Sequence, residues 1–183
     1  MEIIELPLSG AKLIKPRVFG DARGFFFESY SEARYRERGM TEVWVQDNHS
    51  SSVKGTLRGL HYQSTPGQAK LVRVTRGRIF DAIVDIRPDS PTFGKWHGEE
   101  IDAEQHCQVY IPVGFAHGFC VLSDVAEVQY KVSTPYDAAH ECAIRWNDPE
   151  IGLVWPVASP ILSERDQTSE SFAAFKARRG AAR

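Results

Sequence analysis

Short runs of β-branched and aromatic residues dominate the middle of the chain, and turn-forming residues separate them. Such runs occupy residues 71–74, 78–86 and 108–112. Turn signals recur at a spacing of roughly 8–12 residues, which is typical of a β-sandwich or a small barrel. Because helical patterns are scarce, we predict an all-β fold with a few short helices.

Residues 126–132 alternate between apolar and polar side chains. The two-residue period of a strand places Val128, Tyr130 and Val132 on one face and the charged or amide side chains on the other. We therefore expect a half-buried strand with Tyr130 on its buried side. A further short strand is predicted at residues 144–146.

Two short helices are predicted. Residues 31–38 are the better candidate, because Ser31 can cap the first turn and Gly39 can end the last. The second candidate covers residues 169–176. The tail at residues 176–183 is basic and rich in small residues, and we expect it to be flexible.

The overall composition narrows the class of protein. A length of 183 residues fits one domain spanning residues 1–183. A net charge of −2 gives no support for binding to nucleic acid or to an anionic membrane. Three cysteines without a Cys-x-x-Cys motif argue against a disulfide framework and a zinc ribbon. The N-terminus lacks a signal-peptide pattern, and no apolar run approaches the roughly 20 residues of a membrane helix, so we expect a cytoplasmic protein.

The segment RGLHYQ, residues 58–63, brings a cation and an imidazole together within a β-rich region, and Lys70 follows it. A histidine base with a nearby lysine and arginine suits proton abstraction next to a carbonyl on an anionic substrate. A single histidine in a β protein is more often structural. The neighbouring Arg58 and Lys70 strengthen the catalytic interpretation of His61.

A second histidine, His117, lies in the segment IPVGFAHGF, which contains the cupin pattern Pro-x-Gly-x-x-His. In metal cupins this histidine is a ligand, and a partner motif supplies His-x-His. Here Gln63 stands where the second histidine of that pair would be, and Lys70 places an ammonium group near the expected metal position. The sequence therefore disfavours a metal ion. A buried lysine can stabilise a developing oxyanion without one.

Three further candidates each have two interpretations. Tyr130 is either a core residue whose hydroxyl finds a partner or a proton donor. Asp166 lies in an acid-rich segment that is either solvated surface or supplies a carboxylate that orients a histidine. Arg23 belongs either to a turn before an aromatic strand or to a phosphate site. The spacing of these residues leaves the alternatives open.

Together these segments resemble the dTDP-4-dehydrorhamnose 3,5-epimerase family over nearly the whole chain. The matching segments are RGFF from residue 23, QDNHS from 46, RGLHYQ from 58, KLVRV from 70, GRIFDA from 77, VDIRPDSPTFG from 84, IPVGFAHGF from 111, IRWNDP from 144 and PILSERD from 160. Coincidence does not explain so many matches in one order.

The resemblance implies a cupin-type jelly roll, a homodimer, and chemistry without metal or cofactor. It also implies an isomerase that inverts carbons 3 and 5 of dTDP-4-keto-6-deoxy-D-glucose in dTDP-L-rhamnose biosynthesis. By the resemblance, His61 is the general base, Asp166 orients it, Tyr130 is the acid on the other face of the sugar, and Lys70 lies near the 4-keto oxygen.

The resemblance also implies a set of substrate-binding positions. They are Arg23, Phe26, Glu28, Gln46, Asn48, Arg58, Lys70, His117, Tyr136, Glu141 and Arg165. Within this set, Arg23 and Arg58 correspond to pyrophosphate ligands and Tyr136 to a tyrosine that packs on the thymine. Many relatives carry a further tyrosine before that one, and here Pro135 replaces it.

Several other functions compete with this one. Some relatives invert only carbon 3, and others isomerise the ketone of the same class of sugar. A metal cupin such as a dioxygenase is a different class of enzyme, and Gln63 and Lys70 argue against it. A binding module would hold the sugar nucleotide without turning it over. Loss of His61, Tyr130 or Asp166 would indicate such a module, and all three are present.

Overall fold

Two antiparallel sheets account for most of the regular backbone in the computed structural model, which describes residues 1–181. The strands are β1 (Glu2–Glu5), β2 (Lys12–Lys15), β3 (Phe19–Asp21), β4 (Gly24–Phe26), β5 (Gln46–Val53), β6 (Leu57–Gln63), β7 (Lys70–Arg76), β8 (Arg78–Asp85), β9 (Trp96–Asp102), β10 (Gln108–Ile111), β11 (Phe115–Val121), β12 (Val125–Val132) and β13 (Glu141–Ala143). The helices are α1 (Glu32–Arg36), α2 (Glu164–Gln167) and α3 (Phe172–Ala181).

The strands form a sandwich. One sheet has six strands in the order β1-β2-β10-β7-β12-β5, and the other has five in the order β13-β6-β11-β8-β9. The strands β3 and β4 form a separate hairpin. All of these strand pairs are antiparallel. The predicted all-β class is confirmed.

The central core lies between the two sheets. Val72 and Val128 from the six-stranded sheet meet Ile79, Ile83 and Phe119 from the five-stranded sheet, and each is almost fully buried. Because side chains alternate along a strand, residues of the same parity as these lie on the inner faces. The buried polar side chains of the same parity on β7, β8 and β11 therefore also lie inside the sandwich.

Each sheet also carries an apolar cluster on its outer face. Phe172 and Phe175 of α3 pack outside the five-stranded sheet with Tyr62 and Trp155. A third cluster, which includes Tyr35 of α1, covers part of the six-stranded sheet. The sandwich is therefore enclosed on both sides by irregular segments and short helices.

Four of the predicted strands are confirmed, since residues 71–74, 78–86, 108–112 and 126–132 correspond to β7, β8, β10 and β12. Along β12 the even-numbered residues are the more buried, and Tyr130 packs against the central core as expected.

The strand predicted at residues 144–146 is wrong. The strand in this region is β13, which ends at Ala143. Ile144 exchanges two backbone hydrogen bonds with Leu60 and forms an isolated bridge to Glu170. The chain then turns, with Asp148 N donating to Arg145 O at 3.2 Å.

The helix predicted at residues 31–38 is confirmed as α1, with Ser31 at its N-cap. The helix predicted at residues 169–176 corresponds to α3, which begins later, at Phe172, and continues to Ala181. The flexible tail predicted at residues 176–183 is therefore wrong for residues 176–181, because Arg178 anchors the helix to Tyr62 and Glu170. Residues 182–183 lie outside the described part of the chain.

Strand β6 contains a β-bulge where it pairs with β11. The register shifts by one residue between the pair His117–His61 and the pair Phe119–Arg58. In a regular strand, residues three apart point to opposite faces, so Arg58 and His61 would be separated by the sheet. The extra residue restores the parity and directs both side chains to the inner face.

Glycine is required at this bulge. Gly59 has a φ of 141°, and a Cβ atom there would lie 2.4 Å from the Cα of Gly118 on β11. Leu57 and Leu60, which flank the bulged region, are both buried in the outer cluster. The bulge therefore places Arg58 and His61 on the inner face of β6 and Leu57 and Leu60 on its outer face.

We predict that Gly59→Ala lowers the free energy of unfolding by about 3 kcal/mol or more, because the new Cβ collides with backbone and φ lies in a region that favours glycine. Gly55→Ala is the matched control. Gly55 has a φ of 80°, but no atom lies within 4 Å of the added Cβ, so backbone strain alone should cost about 1–2 kcal/mol. Denaturant titration measures both, and equal losses would contradict the role of the bulge.

Candidate active site

His61 and Asp166 form the central contact of the site. The Nε2 atom of His61 lies 2.6 Å from Oδ1 of Asp166, across 105 residues of sequence. Asp166 is buried, whereas the imidazole of His61 is 25% exposed at a cleft. In the tautomer that satisfies the carboxylate, Nε2 donates to Asp166 and Nδ1 keeps its lone pair. The imidazole is therefore oriented with one basic nitrogen available.

The N-terminus of α2 fixes Asp166. The hydroxyl of Ser163 donates to Oδ2 of Asp166 at 2.8 Å and accepts from the Asp166 backbone N–H at 3.1 Å. Burial favours the neutral acid, but hydrogen bonds from His61 and Ser163, with the charge of Arg165, outweigh it and lower the pKa of Asp166. Asp166 is thus ionised at neutral pH.

Lys70 is a buried cation at the start of β7. It shares the inner face with Val72, and its Nζ lies 3.5 Å from the backbone oxygen of His61. Burial lowers the pKa of Lys70 to about 8, although the charges of Asp81 and Glu141 oppose that change. Lys70 is therefore mostly protonated at pH 7 and loses its charge as the pH rises through about 8.

A second histidine–carboxylate pair lies deeper in the sandwich. Nε2 of His117 on β11 is 2.7 Å from Oδ2 of Asp81 on β8, and both residues are buried. Burial lowers the pKa of His117, and Asp81 only partly offsets this effect. His117 is also the direct cross-strand neighbour of His61. The pair is therefore a buried polar group next to His61 and Lys70.

Sequence reasoning did not identify Asp81 as part of the site. A signal was available, because Asp81 interrupts the apolar strand β8 on the same face as Ile79 and Ile83, which are core residues. A charged residue in that position is seldom buried unless it is paired.

Tyr130 approaches the site from the six-stranded sheet. It is half-buried, and burial raises the pKa of its hydroxyl, with a further contribution from the charge of Glu141 and an opposing one from Arg58. Arg58 donates from Nε to Ser52 Oγ at 3.1 Å. Tyr130 therefore keeps its phenolic proton at neutral pH and lies within the electrostatic influence of two other predicted site residues.

Further predicted polar residues are linked to one another, and Arg165 connects them to the cleft. Arg165 forms an ion pair with Glu141 at 2.5 Å. Gln46 donates to Asn48 Oδ1 at 2.8 Å and accepts from the backbone N–H of Tyr136 at 3.1 Å. A cleft of about 300 Å³ is lined by residues that include Arg58, His61, Ser163, Arg165 and Asp166.

Three predicted site residues do not join this group. Arg23 lies on the hairpin of β3 and β4, where its guanidinium pairs with Asp21 at 2.5 Å. Phe26 on the same hairpin is 71% exposed. Glu28 pairs with Arg34 at 3.2 Å. The contacts of these residues are local, and the hairpin lines a separate depression.

Within residues 1–181, no group of three or more His, Cys, Asp or Glu side chains is arranged to hold a metal ion. No helix in the same part of the chain is long and apolar enough to cross a membrane.

The arrangement can transfer protons at a carbon next to a carbonyl. His61 supplies a base, Lys70 supplies a buried positive charge for a developing oxyanion, and Tyr130 supplies a phenolic proton from the opposite sheet. Arg58 and Arg165 add positive charge suited to an anionic group at the mouth.

Comparison with known proteins gives a consistent result. A sequence model of the family described as dTDP-4-dehydrorhamnose 3,5-epimerase matches residues 5–174. The dTDP-4-dehydrorhamnose 3,5-epimerase of Pseudomonas aeruginosa is 51% identical over 175 residues, which cover 94% of this chain and 97% of that protein. The protein of that name from Neisseria gonorrhoeae is 49% identical over 174 residues, which cover 94% of this chain and 53% of the longer relative.

The structure is similar to a solved one. The crystal structure of dTDP-6-deoxy-D-glucose-3,5-epimerase from Legionella pneumophila, in complex with dTDP-4-keto-L-rhamnose, superposes with a TM-score of 0.94 at 45% sequence identity. The match covers 97% of this chain and 95% of that one. The cupin-type fold expected from the sequence is confirmed.

We predict that Asp81→Asn lowers the titration midpoint of Lys70 below about 8, because it removes the charge that most favours the ammonium form. The other charges that act on Lys70, those of Glu141 and Arg165, stay in place. NMR titration of ¹³C-labelled lysine side chains measures the midpoint. Glu99→Gln is the matched control, since it also removes an acid paired with a histidine, here His97 on β9. An unchanged midpoint in Asp81→Asn would show that Asp81 does not support the charge of Lys70.

Proposed function

The chain belongs to the dTDP-4-dehydrorhamnose 3,5-epimerase family, and we propose that it inverts carbons 3 and 5 of dTDP-4-keto-6-deoxy-D-glucose to give dTDP-4-keto-L-rhamnose. The reaction is an isomerisation that serves dTDP-L-rhamnose biosynthesis. The observation that best supports it is the 2.6 Å contact between His61 and Asp166, formed beside a buried lysine.

The 4-keto group makes this chemistry accessible to side chains alone. It acidifies the hydrogens on both neighbouring carbons, so a base can remove either one if the resulting enolate is stabilised. No metal or cofactor is needed for these steps. His61 is the base in our proposal, and its Nδ1 accepts the proton while Asp166 stabilises the imidazolium that forms.

Lys70 stabilises the enolate. Its ammonium group is held in a water-poor interior, where a positive charge next to a developing oxyanion is most effective. Loss of such a contact typically costs roughly 3–4 kcal/mol of transition-state stabilisation. Because Lys70 acts in its charged form, activity should fall as the pH rises through about 8.

Inversion requires a second group on the other face of the sugar. If His61 returned the proton to the face from which it came, the original configuration would be restored. Tyr130 comes from the opposite sheet and carries a phenolic proton, because burial raises its pKa. We assign it the role of the acid.

The rest of the substrate positions the sugar ring. Arg58, and by family resemblance Arg23, suit the diphosphate. Further contacts come from Glu28, Gln46, Asn48, His117, Glu141 and Arg165, and Tyr136 lies beside the thymine. Binding energy from these remote groups can hold the reacting carbons in place.

We also propose a homodimer in which the hairpin of β3 and β4 contacts a second copy of the chain. Phe25 and Phe26 on this hairpin are 63% and 71% exposed, which is unusual for adjacent aromatic residues. Arg23, Phe26 and Glu28 correspond to substrate-binding positions by family resemblance, yet they make only local contacts in one copy. A hairpin that reaches the cleft of the partner would reconcile these two facts.

We infer a cytoplasmic location and one catalytic domain over residues 1–183. The three cysteines, Cys107, Cys120 and Cys142, are free thiols, which suits a reducing compartment. Phe172 and Phe175 of α3 pack on the five-stranded sheet, so this helix shares a core with the middle of the chain.

Incubation with dTDP-4-keto-6-deoxy-D-glucose in heavy water tests the reaction. We expect deuterium at carbons 3 and 5 with both centres inverted, as read by NMR. Inversion and label at carbon 3 alone would instead identify a 3-epimerase, and ketone migration would identify a ketoisomerase. The absence of any label would overturn the proposed function.

Two substitutions separate the roles of the base and the acid. His61→Ala should reduce both deuterium incorporation and inversion by at least about 10³-fold, because the base is lost. Tyr130→Phe should still incorporate deuterium at carbon 3 but slow inversion by at least about 100-fold, because only the phenolic proton is lost. Turnover close to that of the unsubstituted enzyme in His61→Ala would show that the base is another residue.

The hairpin proposal predicts an effect of Phe26→Ala on assembly and on substrate binding together. We expect the dimer to dissociate about tenfold more readily and KM to rise, because truncating a buried interface aromatic typically costs more than about 1 kcal/mol. Val154→Ala is the control, since Val154 is also 71% exposed but does not belong to the hairpin. Sedimentation equilibrium and steady-state kinetics are the measurements. A monomeric unsubstituted protein would contradict the proposal.

A further inference from the structure

A three-residue junction joins α3 to the back of β6. The guanidinium of Arg178 donates from Nη2 to the hydroxyl of Tyr62 at 2.7 Å and to Oε1 of Glu170 at 2.5 Å. We infer that Arg178 is a positioning residue for the His61–Asp166 pair, acting through Tyr62 and Glu170. The inference rests on the proposed function, in which His61 is the base.

The segment that carries Asp166 is attached to the five-stranded sheet at two places. At its start, Ile161 bonds to the beginning of β6, with Leu57 N donating to Ile161 O at 3.0 Å. At its end, Glu170 bridges Ile144, and Arg145 N donates to Glu170 O at 2.8 Å. Asp166 lies between these attachments. Its position relative to β6 is therefore set by how firmly both ends are held.

The junction at Tyr62 strengthens the second attachment. Tyr62 follows His61 directly, and its side chain lies on the outer face of β6, where it is almost fully buried against Phe175. Its hydroxyl also donates to Glu170 Oε1 at 3.3 Å. Arg178 thus connects the strand that carries the base to the segment that carries the carboxylate.

The geometry of the pair explains why this connection matters. The contact between Nε2 of His61 and Oδ1 of Asp166 is short, and a hydrogen bond weakens steeply when its donor and acceptor separate or tilt. Small displacements of catalytic groups can cost large factors in rate. Because the guanidinium is half exposed, its ion pair contributes little to global stability. Its effect should therefore appear in site geometry more than in unfolding.

Arg178 lies outside the part of the chain that carries the proposed catalytic residues. The residue lies beyond residues 5–174, which match the family model. It does not line the cleft that contains His61.

The test compares Arg178→Met and Arg178→Lys with the matched control Lys176→Met. Lys176 lies on the same helix, is similarly exposed and also forms an ion pair, here with Glu150, but it does not reach Tyr62. Proton NMR of the free protein detects the imidazole N–H that bonds to Asp166 as a downfield resonance, assigned by its loss in Asp166→Asn. We expect this resonance to broaden or move upfield in Arg178→Met, to recover partly in Arg178→Lys, and to be unchanged in Lys176→Met.

Steady-state kinetics with dTDP-4-keto-6-deoxy-D-glucose provide the second readout. We expect kcat to fall about tenfold in Arg178→Met with KM within about twofold, because substrate contacts are not removed. If Arg178→Met does not fold, Tyr62→Phe replaces it, since it deletes only the hydroxyl of the junction. An unchanged resonance and kcat in the folded variants would overturn the inference. Inactivity of the unsubstituted protein would instead refute the proposed function, and the NMR comparison would still decide the structural coupling.

Discussion

The inward direction of both Arg58 and His61 depends on one additional residue in β6. Side chains of a strand alternate between faces, and the two residues are three apart, so a regular strand would place one of them outside the sandwich. The bulge opposite Gly118 corrects the parity, and only glycine fits the close approach of the two backbones at position 59. Without it, either His61 or Arg58 would lie in the apolar cluster behind the sheet.

The interior polar groups depend on one another for their ionisation. Lys70 stays charged because Asp81 and Glu141 oppose the effect of burial, and Asp166 stays charged because His61 and Ser163 donate to it. Buried charges of this kind are stable only when paired and hydrogen-bonded. Removing one member therefore changes the protonation of its neighbours as well as its own contact. The site is best regarded as a single electrostatic unit.

The sequence predicted the strands that have a strong local pattern, and it predicted less where distant contacts decide the structure. Residues 126–132 alternate clearly, and the parity of Tyr130 follows from that alternation alone. The tail at residues 176–181 reads as flexible because it is basic and rich in small residues, whereas it is helical through contacts with Tyr62, more than one hundred residues earlier. Asp81 could have been found from its position on an apolar face, but its partner His117 could not be identified from spacing.

The His61–Asp166 contact has a consequence for the order in which the chain becomes competent during synthesis. The last strand of the two sheets ends at Ala143, whereas the carboxylate that contacts His61 comes from residue 166 and the helix behind it extends to Ala181. During synthesis the chain emerges from its N-terminus onward, so β1 to β13 are available for pairing before residue 166 is made. A nascent chain can therefore assemble its sandwich, with His61 and Lys70 inside, before Asp166 is made. Under the proposed mechanism, a chain that ends before residue 166 could fold in large part but would be inert.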